Sequence, residues 1–258
     1  MILRHVREHA AHHNWFAVTI DLLIVVIGVF VGTQASNWNQ ARLDRQQARE
    51  YRTMLRADLG TNLKNLANRK QYYQWVRNEA LATLAALGRP AGQLDERFLI
   101  HAYQSSQTLP WGLKRNTYDQ ILSTGAMSKL GSPTLRDEVA NYYVGADITG
   151  ANLVAVPPYR EVIRRVMPYE AQRQVRTRCP EIINQDSNGA PEMITPRPCT
   201  LGLDPAFVRN AVAQVRASPG LALDLNRLLV DLDQKILSVD LIAERAVKTR
   251  RELEQADR

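Results

Sequence analysis

The sequence predicts an all-α protein: an N-terminal transmembrane helix continuous with a long stalk helix, followed by an elongated helical bundle. Three observations predict it. The run Trp15 to Asn39, WFAVTIDLLIVVIGVFVGTQASNWN, is long and apolar enough to cross a bilayer. Beyond it, apolar residues recur at steps of three and four, the helical period. No stretch alternates with the period of two that a half-buried strand requires. The 258 residues divide into a tail (1–14), a transmembrane helix (15–36) and a helical domain (37–258) interrupted by an irregular excursion at 177–203.

Between Phe16 and Ala35 the one ionisable residue is Asp21. About 20 apolar residues at 1.5 Å rise match a hydrocarbon layer of ~30 Å. Trp15 and Phe16 sit at one end and Trp38 at the other, where amphipathic rings favour the headgroup level. At 100° per residue, Asp21, Val25, Gly28, Gly32 and Ala35 fall on one narrow stripe. Gly28 and Gly32 form a small-x-x-x-small pair that lets a second helix backbone approach closely. Asp21 either snorkels to the nearby interface or is shielded by that partner helix. A cleavable signal peptide is the competing reading, with Thr33-Gln34-Ala35 as its small-x-small site. The apolar run exceeds the roughly 7–15 residues of such signals, so an uncleaved signal-anchor is expected.

The tail holds four of the five histidines. His5-Val6-Arg7-Glu8-His9 matches an H-x-x-E-H string, but that motif works on a helix of a folded domain with a further ligand, which a short tail lacks. No metal and no cofactor is expected.

The chain carries 33 basic and 26 acidic residues, a net charge of +7. Arg4 and Arg7 offset Glu8 and Asp21 in the first 36 residues, so the domain carries the whole excess. Such a balance favours anionic lipid, acidic polymers or nucleic acid as non-specific partners, with a solvated basic surface as the leading meaning. Membrane lipid is the expected partner, and nucleic acid is not expected. Two features disagree on topology. Arg42, Arg45, Arg49, Arg52 and Arg56 follow the span and outnumber Arg4 and Arg7 before it, which favours a cytoplasmic domain. Cys179 and Cys199 flank a proline-rich segment in which Asn188-Gly189 turns the chain back. A disulfide there requires an oxidising compartment. The expectation is a single-pass protein of the inner membrane with a periplasmic domain.

Along the domain, Leu43, Tyr51, Leu55, Leu59, Leu63 and Leu66, then Tyr73, Val76, Ala80, Leu84 and Leu87, continue the first helix to a stop at Gly88-Arg89-Pro90. A second helix is predicted over Leu94 to Ser106 and a short one over Thr117 to Ser123, ended by Gly125. Ser132-Pro133 opens a helix towards Val144 or Val156. Tyr159 to Val175 is predicted as one basic helix presenting Arg160, Arg164, Arg165, Arg173 and Arg176, either a face for polyanions or lipid or a solvated surface. Asp204-Pro205 caps a helix to about Ala217. Ser218-Pro219 caps the last, whose seam is Leu221, Leu225, Leu228, Leu232, Ile236, Val239 and Ala243.

Two signatures, Ile27-Gly28…Gln34…Asn37-Trp38-Asn39 and Tyr118…Leu122-Ser123-Thr124-Gly125…Leu135…Tyr142-Tyr143, resemble a family of uncharacterised single-pass membrane proteins of Gram-negative bacteria. Its members often carry an acidic residue early in the span, as Asp21 does here. The resemblance runs from the span to Tyr143 and leaves out the cysteine excursion. It implies a membrane-anchored helical protein and supplies no activity.

No phosphate-binding glycine loop and no G-x-S-x-G string is present. His101 is the single histidine outside the tail, and no nucleophile is recognisable beside it. The expectation is a non-enzymatic interaction, scaffold or sensor module that forms homo-oligomers or joins another membrane protein. A membrane-tethered enzyme with an unrecognised site is the alternative.

Overall fold

Helix α1 runs from Trp15 to Leu87 as 73 residues without a break. It is the first element of a computed structural model that describes residues 15–110, 112–185, 191–194 and 198–257. The tail with its His5–His9 string and the Asn188-Gly189 turn lie outside the described residues. The chain divides into two units, Met1–Tyr51 and Arg52–Arg258.

The described part of the first unit is helix. Among the described residues, one helix, counted from Val18, has the length and composition that suit a membrane crossing, and its apolar window is not buried. The two threonine hydroxyls of the span are satisfied by their own helix: Thr19 Oγ1 donates to Trp15 O and Thr33 Oγ1 to Phe30 O, each at 2.8 Å. That is the arrangement a helix needs where water is absent.

In the second unit the remaining helices are α2 (Glu96–Gln104), α3 (Asn116–Ser123), α4 (Pro133–Leu153), α5 (Pro158–Val166), α6 (Tyr169–Arg178), α7 (Pro205–Arg216) and α8 (Leu221–Gln255). The stretch expected to form the stalk becomes, from Arg52 onward, a central helix of this body. Leu55, Leu59, Leu66, Tyr72, Val76 and Ala80 are all buried. Helices α4 and α8 pack antiparallel, with Glu138 meeting Lys248 and Ala155 meeting Lys235. Most of the predicted seam of α8 is buried: Leu221, Leu225, Leu228, Leu232 and Val239 line the core, while Ile236 and Ala243 are only partly covered.

Side-chain caps explain the starts of α2, α4 and α7. Asp95 accepts from Arg97 N, Ser132 from Leu135 N, and Asp204 from Ala206 N and Phe207 N. Gly125 follows α3 at φ 66°, a left-handed conformation that a side chain would strain.

Three expectations are corrected. Tyr159 to Val175 is two helices, because Pro168 removes an amide donor and forces Met167 into an extended conformation (ψ 129°). The N-cap of α8 is Gly220 (φ 76°) and not Ser218. The excursion contains strands, β1 (Ile182–Gln185) and β2 (Pro191–Ile194), paired antiparallel from Ile182↔Ile194 to Gln185↔Pro191. Such a short hairpin is marginal alone. Here the Cys179–Cys199 disulfide closes its base.

Candidate functional site

The stripe predicted on the membrane helix is open on every side that its own unit could fill. A Cβ added at Gly28 or Gly32 would meet nothing within 4 Å. Asp21, Val25 and Ala35 are exposed on the same face, and Trp15, Phe16 and Trp38 are 74%, 75% and 68% exposed. The geometry leaves a flat backbone strip flanked by branched side chains, a shape that a second helix can occupy.

The body contains a polar arrangement that periodicity did not reveal. Asp58, Asn62, Asn65 and Arg69, spaced by four, three and four, line one buried face of α1. They hold the connection between α2 and α3. Arg69 Nη2 donates to Pro110 O at 2.6 Å and Nη1 to Leu109 O at 3.3 Å. Asn65 Nδ2 donates to Gly112 O at 3.1 Å. Asn62 makes a two-way clasp, donating to Lys114 O at 2.9 Å and accepting from Lys114 N at 2.7 Å. Asp58 accepts from Thr117 N at 3.3 Å, so α1 supplies the cap that α3 lacks in its own sequence. The signature tyrosines pack nearby, Tyr118 stacked on Tyr143 at 4.2 Å and Tyr142 edge-on to Tyr143 at 4.8 Å. Burial pushes all three phenols up. This region is a structural clamp.

The five arginines of the basic face separate. Arg160 donates to Ser106 O, and Arg164 donates to Tyr103 Oη, Ser106 Oγ and Gln107 Oε1 with its guanidinium 3.8 Å from the Tyr103 ring centroid. Burial lowers the Arg164 pKa, with Tyr103 opposing it. These two pin the end of α2. Arg165, Arg173 and Arg176 remain exposed, and Arg173 pairs with Glu170. A five-residue cationic face is therefore absent; the period placed all five on neighbouring turns, but the Pro168 break and the α2 contacts divide them.

Beside the disulfide lies a cleft of about 810 Å³, lined in part by Trp75, Glu79, Ile100, His101, Gln104 and Cys199. His101 Nδ1 and Glu79 Oε2 are 2.7 Å apart. Gln104 Nε2 donates to Cys179 O at 2.6 Å, and Tyr72 Oη donates to Glu181 at 2.7 Å, fastening the base of the hairpin. Burial raises the Glu181 pKa, opposed by the Tyr72 hydrogen bond and by Arg160 and Arg164. Among the described residues no group of three or more His, Cys, Asp or Glu is placed to hold a metal ion.

Comparison with protein-family models, with curated proteins and with solved structures finds no match for this chain.

Proposed function

We propose that the chain is a non-enzymatic, membrane-anchored helical module that associates through the Asp21–Gly28–Gly32 face of its first helix, with a second copy or with another membrane protein. The observation that carries this reading is the open glycine strip on an otherwise apolar, unburied helix. Association hides the Asp21 carboxyl from lipid and lets two backbones meet at van der Waals distance. Likeness to the family of single-pass proteins of Gram-negative bacteria fits the same reading, and so does an inner-membrane location. The disulfide at the hairpin base supports a periplasmic body, because such a bond persists in an oxidising compartment.

Replacing Gly28 and Gly32 by Ile tests the association. Neither substitution meets a neighbour within its own unit, so loss of cross-linked complexes reports on the helix pair. Complexes that persist unchanged overturn the reading. For topology, Cys179 and Cys199 should take a membrane-impermeant thiol reagent in intact spheroplasts only after reduction. Labelling that requires lysis places the body on the cytoplasmic side.

A membrane-tethered enzyme is the second reading, favoured by the cleft with the His101–Glu79 pair. A carboxylate that orients an imidazole suits general base chemistry. The cysteines beside it are tied in the disulfide, so the cleft offers no thiol nucleophile.

A further inference from the structure

Between the end of α4, the start of α5 and the middle of α8 lies a separate cavity of about 460 Å³. That volume is within the range of small-molecule sites, roughly 300–1,000 Å³. Leu153, Pro157, Leu228 and Leu232 supply apolar wall, and Lys235 supplies a cation. Lys235 is half-buried. Its Nζ donates to Ala155 O at 3.0 Å and sits 5.8 Å from the Tyr73 ring centroid. An ammonium has three N–H donors, so this single hydrogen bond leaves capacity for an acceptor. Among the described residues no carboxylate reaches it. Asp231, one turn earlier, lies 4.0 Å from Arg227, and these two opposite charges offset each other at the rim.

We propose that this cavity binds a small amphipathic carboxylate, its head on Lys235 and its apolar part against Leu153, Pro157, Leu228 and Leu232. The head takes up the free donors of Lys235 and neutralises a cation that the protein has partly withdrawn from water. Burial already lowers the Lys235 pKa, with Asp231 opposing it, and a bound anion reverses that shift. The apolar walls discriminate against acetate-sized ions. The unfilled N–H donors of Lys235, which has no hydrogen-bonded carboxylate among the described residues, favour an anionic head over a neutral compound of the same shape. All these residues belong to the body, so the inference goes beyond pairing of the membrane helix and stands or falls apart from it.

The test uses the full chain in phosphatidylcholine nanodiscs, 4-phenylbutyrate as probe and 4-phenylbutanol as its neutral counterpart. Brief acetylation followed by peptide mass spectrometry reads each lysine separately. Phenylbutyrate at ten times its dissociation constant should slow acetylation of Lys235 about tenfold and leave Lys114 and Lys248 unchanged, whereas phenylbutanol should leave all three unchanged. Equal protection by both compounds, or none by phenylbutyrate, overturns the proposal. Equilibrium dialysis of labelled phenylbutyrate should show binding lost in Lys235→Met and kept in Lys235→Arg, with circular dichroism checking the fold of each. The wild-type labelling needs no variant, so a misfolded Lys235→Met does not shelter the idea.

Discussion

The two halves of α1 reverse the usual relation between residue type and surroundings. In the first unit Val25, Ile27, Val29 and Phe30 are each more than half exposed. In the second, Asp58, Asn62 and Arg69 are 4%, 0% and 1% exposed. A row of unburied apolar side chains is stable where the surrounding medium is itself apolar, as hydrocarbon is. A buried polar row is stable where its donors and acceptors find partners. The α2–α3 connection supplies most of them as backbone carbonyls and amides, although among the described residues Asn65 Oδ1 has none. One helix can therefore suit two media, an apolar one along its first half and the protein interior along its second. Polar residues at helical spacing are as capable of marking an inner face as leucines are.

The contrast can be broken most strongly at Arg69. Arg69→Met leaves the Leu109 and Pro110 carbonyls without their buried donor and should cost about 3 kcal/mol, read as a lowered urea midpoint of the body. Asp21→Asn in the first half should leave that midpoint unchanged. A smaller loss, about 2 kcal/mol, is expected for Asn62→Ala, which opens both bonds of the Lys114 clasp. If the melt is insensitive to it, the clamp is not what fixes the α2–α3 connection. Gly28→Ile with Gly32→Ile sharpens the comparison from the other side: thermal melting of the body should be unaltered while cross-linked complexes disappear.

The smallest effect is expected where Tyr72, in the buried half of α1, meets Glu181. Folding raises the pKa of this carboxyl, chiefly by burial, so ionising it costs the folded state. Stability from this group is fullest below the ordinary carboxyl range and declines as pH rises through the folded value. Glu181→Gln keeps an acceptor for the Tyr72 hydroxyl and removes the charge. It should match wild type at about pH 4 and be slightly more stable at about pH 7, measured by paired thermal melts. A variant equally affected at both pH values points to lost packing instead.

Much of the fold was legible because its signals are local. The apolar run sets the one stretch of α1 that is long and apolar enough to cross a membrane. Ser132-Pro133 and Asp204-Pro205 are caps written into consecutive residues, and both start helices where expected. The break at Pro168 was equally local and was passed over because the arginine period runs straight through it. The two cysteines and the chain reversal between them pointed to the disulfide, although β1 and β2 are too short to leave a pattern of their own.

The candidate sites were less legible, since they depend on residues far apart in sequence. Nothing near Asn62 indicates that Lys114 will clasp it. Nothing near Arg164 distinguishes it from Arg165, until Tyr103, Ser106 and Gln107 arrive on the other side. The sequence by itself determined the helical class, an N-terminal helix long and apolar enough to cross a membrane with its glycine strip, and most helix ends, because hydropathy, period and capping act within a few residues. Only the tertiary structure decided that the second half of α1 is an inner helix and that two of the five arginines are pins. It alone formed the cavity around Lys235. Burial is a property of what packs against a residue, and the packing partners come from distant parts of the chain.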